Sequence, residues 1–183
     1  MKKGSSWKRL DHRLLVDSPF MRVFEDSIQL PSGDVIHDYT TVSLPSGVVI
    51  VATDQDGRLL TQFEYKYAID ATILNLPSGS LEKGDSILET AARELLEETG
   101  YESSELELIQ TLYEYPSKAD HLVYVVRAKN ARKVAEAIHE ATEMISSVRP
   151  VNPNERVLLG VFDTTHTVSA LALTLPEFLR DIE

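Results

Sequence analysis

In the first third of the chain, apolar and polar residues alternate in short runs cut by turn residues. Residues 20–30 (FMRVFEDSIQL) alternate as a half-buried strand does, and residues 35–44 do so again. Ser32 and Gly33 between them supply a turn, so the two runs predict a hairpin. Residues 47–54 (GVVIVATD) are instead continuously apolar, the mark of a strand covered on both faces. A DQDG turn at 54–57 leads into a further strand at 58–67.

The period then changes. Residues 74–86 (LNLPSGSLEKGDS), with one Pro and two Gly, read as a loop that stops at a helix start. Ser86 with Glu89 three residues on has capping-box spacing. Leu88, Ala91, Ala92, Leu95 and Thr99 recur at helical spacing, and Gly100 stands where a helix-ending glycine belongs. The predicted helix is 86–99. Residues 106–116 and 121–128 read as strands. Residues 131–145 (ARKVAEAIHEATEMI) are rich enough in Ala and Glu for a helix or an ordered loop, and 156–162 fit strand or turn. Residues 167–182 predict a C-terminal helix, kinked or restarted at Pro176. Strands, helix, strands, helix is an α+β order, or a mixed-sheet sandwich, and not regular βαβ alternation.

Composition narrows the chemistry. The 183 residues suit one domain, with or without a small extension, and 43% hydrophobic content supports a full core. With 18 Lys and Arg against 29 Asp and Glu, the formal charge is −11. That balance disfavours non-specific binding to nucleic acid or to a membrane surface. It leaves room for a small anionic substrate, because cations can bridge an acidic protein to an anionic ligand. Without cysteine there is no disulfide, thiolate site or thiol nucleophile. The N-terminal MKKGSSWKRL has no apolar run after its lysines, so no signal peptide is expected, and no window approaches a membrane span. A cytoplasmic protein is the expectation. The five histidines show no metal-ligand spacing; His121 alone is worth testing.

The helix at 86–99 carries the main chemical question. On a wheel of about 100° per residue, Leu88, Ala92, Leu95 and Thr99 form one apolar stripe. Glu94, Glu97 and Glu98 share a neighbouring arc of about 100°, with Arg93 beyond Glu97. One reading is a solvated face with an ordinary Arg93–Glu97 pair. The other is a hard-cation site, since Mg²⁺ takes carboxylate oxygens and completes its shell with water and substrate phosphate.

The flanking sequence favours the second. Gly79, five residues, Asp85, seven residues and then RELLEETGY resemble the Nudix box, with Gly79, Arg93, Glu94, Leu95, Glu97, Glu98, Gly100 and Tyr101 all in place. Asp85 stands where the pattern has glutamate, which implies a shorter Asp85–Arg93 pair. Around the box, residues 65–79 (YKYAIDATILNLPSG) are similar to the ADP-ribose pyrophosphatase branch, where Q-Y-R-Y precedes a strand ending in ELPAG. Lys66 then stands at that branch's arginine, Asn75 at its glutamate and Ser78 at its alanine. Residues 113–128 resemble the branch's YPSPG…DE segment with a shorter loop, and 140–145 its acidic E-x-E-D-I loop.

The resemblance implies a Nudix-type α/β/α sandwich with a mixed sheet at 46–183, preceded by a β-rich, dimer-forming extension at 1–45. It implies Mg²⁺, with Mn²⁺ as the alternative, held by Glu94, Glu97, Glu98 and a backbone carbonyl of Ser78 or Gly79. Arg93 would orient the glutamates. The general base would be Glu143 or Glu140, with Asp120, Glu114 and Glu64 as weaker candidates. Lys66, Tyr113 and Tyr115 would contact substrate, with Tyr65 and Tyr67 as further stacking candidates; Trp7 would either cap a partner's pocket or anchor the chain end. The activity implied is hydrolysis of ADP-ribose or another nucleoside diphosphate sugar by a homodimer. The alternatives are a Nudix hydrolase of GDP-mannose or dinucleoside polyphosphates, and a non-catalytic ligand sensor.

Overall fold

The computed structural model describes residues 6–82, 84–138, 144–151, 162 and 164–178. The chain divides into two compact units, residues 1–45 with 113–121, and residues 46–112 with 122–183.

The first unit is a three-stranded antiparallel sheet in the order β1 (Lys8–Asp17), β2 (Arg22–Gln29), β3 (Val35–Ser43). The β2–β3 hairpin is the one expected, and Gly33 holds its turn at φ 97°. The strand β1 was not read from the sequence: its charged residues mask the alternation, and every one of its ten residues is exposed. Within this unit the 113–121 segment is tied to β3 by Tyr39 Oη donating to Ser117 O (2.8 Å) and by Val42 N donating to Lys118 O (2.8 Å). Trp7 rests edge-on against Tyr39 with ring centroids 5.7 Å apart.

The second unit is a mixed sheet between two helices. Its central strands are β4 (Gly47–Asp54), β5 (Leu59–Lys66), β6 (Ala71–Asn75), β7 (Ser78–Ser80), β8 (Tyr101–Glu102), β9 (Glu105–Tyr113), β10 (Leu122–Lys133) and β11 (Ile145–Val151). They run β11-β5-β4-β10-β8, with β6 beside β5, β7 beside β4 and β9 beside β10. The β4–β10 pair is parallel; β4 meets β5 and β7 antiparallel.

The unbroken apolar run of β4 is explained by its two covered faces. Val48, Ile50 and Ala52 pack with Leu60, Val126, Ala128 and with Ala91 and Leu95 of α1 (Ile87–Thr99). Val49 and Val51 pack on the other face with Leu59, Val125 and with Ala170 and Leu171 of α2 (Thr165–Phe178). The unit is therefore an α/β/α sandwich, the architecture expected.

Two sequence expectations change. The loop at 74–86 contains the strand β7, whose residues Ser78–Ser80 pair with Gly47–Val49. Of the helix or ordered loop expected at 131–145, the described residues show no helix: 131–133 continue β10, and 134–138 are irregular, as the loop alternative has it. Their amides are used elsewhere. Val134 N and Ala135 N donate to Gly100 O, and Ile138 N donates to Glu97 O at 2.7 Å, closing the C-terminal end of α1.

Candidate functional site

The site is built on α1, and its caps are those the sequence specified. The Ser86 side chain accepts from Glu89 N while Glu89 reaches back to Ser86 N, a complete capping box. Gly100 ends the helix at φ 74°, where a Cβ would also run into Ala135 O.

The face that α1 buries overlaps the predicted one at Ala91, Leu95 and Thr99 but is shifted away from Leu88. Leu88 is 39% exposed, whereas Thr90, Ala91, Glu94, Leu95, Glu98 and Thr99 are buried. The buried stripe is turned by about 80° from the expected one, toward the glutamates. Glu94 (6% exposed) and Glu98 (2%) are therefore inside the protein and not on a solvated face. Glu97 is different, with its side chain 45% exposed and bound to Arg93 Nη1 at 2.9 Å.

The backbone of β7 receives both buried carboxylates. Ser78 N donates to Glu98 Oε2 at 2.7 Å. The Glu94 carboxylate lies directly over Gly79, so that any Cβ there would overlap it. The absence of a side chain at Gly79 is what lets the Glu94 carboxylate lie there. Arg93 Nη2 pairs with Glu94 Oε1 at 2.9 Å, so one guanidinium bridges Glu94 and Glu97. Burial alone would lower the Arg93 pKa; Glu94, Glu97 and Glu82 more than offset this and hold it above its ordinary value. The Asp85–Arg93 pair expected from the sequence is not among these contacts; Asp85 is exposed.

The second wall is β5. Its alternation puts Leu60, Gln62, Glu64 and Lys66 on one face, and Leu60 packs against α1. Gln62 is fully buried, and neither of its amide atoms finds a hydrogen bond of ordinary geometry among the described residues. It lies close enough to Glu98 to favour that residue's charged form. Glu64, 7% exposed, pairs with Lys66.

Electrostatically the site is under tension. Burial pushes the Glu98 carboxyl up to about 9; Ser78 N and Gln62 pull it back, while the charges of Glu94 and Glu64 push it further up. Among the described residues no three Asp, Glu or His side chains converge as a finished metal site. The donor chemistry nevertheless fits a hard divalent cation: two buried carboxyl groups, Glu94 and Glu98, lie within each other's electrostatic reach beside a backbone strand, a set that gains from a positive charge.

Of the residues the sequence groups together, Arg93 pairs with Glu94 and Glu97, Glu94 lies over Gly79, and Glu98 accepts from Ser78 N. Gln62 was not among the sequence candidates and Glu64 was a weaker one; the alternation of β5 puts the two on one face without saying which face meets α1. Tyr113 (65% exposed), Tyr115 (57%) and the His121–Glu114 pair (2.8 Å) belong to the first unit. Glu140 and Glu143 lie outside the described residues.

Against known families, residues 43–167 match the NUDIX domain model. The chain belongs to the Nudix family. It is 32% identical over 114 residues to an ADP-ribose pyrophosphatase of Bacillus subtilis, a match covering 62% of this Nudix chain and 61% of that protein's length. It is 28% identical over 169 residues to a CMP-5'-(N-acetyl-N-hydroxy-3-aminopropyl)phosphonate hydrolase of Streptomyces rubellomurinus, covering 85% of this chain and 82% of that one. The Nudix fold is also that of a solved ADP compounds hydrolase, with a TM-score of 0.81 at 22% identity over 99% of this chain and 98% of that one. No described helix is long and apolar enough to cross a membrane.

Proposed function

We propose that this Nudix protein is a divalent-cation-dependent pyrophosphohydrolase. It cleaves ADP-ribose or a related nucleoside diphosphate sugar to a nucleoside monophosphate and a sugar phosphate. The observation that carries the reading is the burial of Glu94 and Glu98 against β7, with Glu64 in the same field. Buried carboxyl groups of this kind are costly to ionise together unless a cation is shared between them. The naming of the Bacillus subtilis relative supports ADP-ribose as the first substrate to test. The Streptomyces rubellomurinus relative supports a second reading, in which a cytidine nucleotide carries the leaving group.

In this account Glu94 and Glu98 are the principal ligands of Mg²⁺, or of Mn²⁺, with Glu97 completing the set and a carbonyl of Ser78 or Gly79 adding an oxygen. When bound, the cation shields the pyrophosphate charge and makes water acidic. Arg93 orients Glu94 and Glu97 through one guanidinium. Lys66 supplies a positive charge to substrate phosphate, and Tyr113 and Tyr115 offer aromatic faces to the base. Glu143 or Glu140 takes the proton of the attacking water. Residues 46–183 carry the chemistry, residues 1–45 form a homodimer, and the protein acts in the cytoplasm without nucleic acid or membrane partners.

The test is a Mg²⁺-dependent turnover screen over ADP-ribose, GDP-mannose, UDP-sugars, NADH, a CMP-linked phosphonate and diadenosine polyphosphates, with Glu98→Gln beside the parent. Turnover of a nucleotide sugar that collapses in Glu98→Gln supports the reading. Tight ligand binding with no turnover of any compound would sink it in favour of a sensor.

A further inference from the structure

A line of polar side chains runs from the core through Asn75 and Glu64 to Lys66. Thr167 Oγ1, on α2, donates to Asn75 Oδ1 at 2.5 Å, and Thr164 Oγ1 approaches the same oxygen at 3.3 Å. Asn75 Nδ2 faces Glu64 Oε2 at 3.4 Å. The other Glu64 oxygen takes the Lys66 ammonium in an ion pair. Thr167 and Asn75 are fully buried, and the Lys66 side chain at the end of the line is 40% exposed. Glu64 and Lys66 share the β5 face whose Leu60 packs against α1.

Each member is constrained by the next. A lysine ammonium on four flexible carbons has no fixed direction unless a partner gives it one. A buried carboxylate in turn needs donors for both oxygens. Asparagine at 75 supplies one, because its amide carries an acceptor for the threonines and a donor for Glu64. Aspartate, of the same shape, would set a second carboxylate against the first.

We propose that Glu64 is a positioning residue: it holds the Lys66 ammonium where a substrate phosphate binds, and the Thr167–Asn75 pair holds Glu64. This rests on the nucleotide reading above and adds to it the element that gives Lys66 its geometry. It also makes Asn75, which stands where the resembling branch has glutamate, a requirement of Glu64.

The experiment measures ADP binding by calorimetry with Mg²⁺, thermal unfolding, and KM and kcat for ADP-ribose. The variants are Glu64→Gln, Lys66→Gln, their double, Asn75→Asp and Glu64→Gln/Asn75→Asp. The proposal expects Glu64→Gln and Lys66→Gln each to weaken ADP binding by about tenfold, the scale of one charge-assisted hydrogen bond. The double should be no weaker than Lys66→Gln alone. It expects the rise to fall on KM more than on kcat. Asn75→Asp should lower the unfolding temperature, and adding Glu64→Gln should restore it without restoring ADP affinity, because a carboxylate at 75 does not reach Lys66. ADP binding by Glu64→Gln equal to the parent's, or losses that multiply in the double, would overturn the proposal. If the binding pattern holds and ADP-ribose is not turned over, the proposal stands and the enzyme reading fails. If the parent binds no ADP, both fail.

Discussion

At the scale of single residues, the decisive fact is where Glu94 and Glu98 sit. A wheel drawn from the sequence ranks glutamate as polar and turns it outward, so it placed the buried stripe on Leu88. The protein leaves Leu88 exposed and buries the two acids. Hydrophobicity alone does not register a carboxyl group kept inside the protein. The box motif identified the residues, but their burial was not legible. One consequence is a pH effect with a definite sign. The Glu98 carboxyl, ordinarily near 4.5, is raised to about 9. Between those values the folded chain keeps a proton that the unfolded chain releases. The stability this group contributes is therefore full below about pH 4.5 and is lost as the pH rises toward about 9. Glu98→Gln cannot ionise, so in EDTA it should unfold at a higher temperature than the parent at pH 8, with the gap narrowing at pH 5. Calorimetry at the two pH values checks this, and an unstabilised variant at pH 8 speaks against burial as the cause. A second consequence concerns Gly79. A methyl there overlaps the Glu94 carboxylate. Gly79→Ala should lower stability by about 1–3 kcal/mol and disturb cation binding, read by urea unfolding and by Mn²⁺ titration.

At the scale of elements, local chemistry was the most legible part. Ser86, Glu89 and Gly100 specified both ends of α1, and the capping box and the left-handed glycine are present. Ser86→Ala should cost about 1 kcal/mol of unfolding free energy, the usual value of an N-cap. Gly100→Ala should cost more, because it meets both the positive φ and Ala135 O. Chemical denaturation ranks the two, and the reverse order contradicts the account of this helix end. At 131–138 the helix alternative loses to strand and loop. Alanine and glutamate favour a helix there, but tertiary pairing extends β10 to Lys133, and the following amides close α1. In β5 the alternation was readable, yet no sequence rule says which face meets α1, so Gln62 was missed.

For the whole molecule, the layered order followed from β4: a strand apolar on both faces needs cover on both, and α1 and α2 supply it. The β1 strand escaped because its pattern is broken by charge. The first unit presents apolar side chains to solvent, among them Leu10 (47% exposed), Leu14 (48%), Val16 (44%) and Phe20 (80%). Apolar surface of this kind marks an association site, and a second copy of the chain is its proposed occupant. Sedimentation equilibrium should return a dimer mass, and Leu14→Asp should shift it toward the monomer; a monomeric parent at micromolar concentration contradicts this.

The claim on which the whole account depends is that the buried acids of α1 hold a divalent cation. The most direct measurement is Mn²⁺ binding at pH 7.5, followed by electron paramagnetic resonance, for the parent and for Glu94→Gln/Glu98→Gln. The account predicts saturable binding by the parent and its loss in the double variant, with the fold intact by circular dichroism. Equal binding by both proteins, or none by the parent, would contradict it.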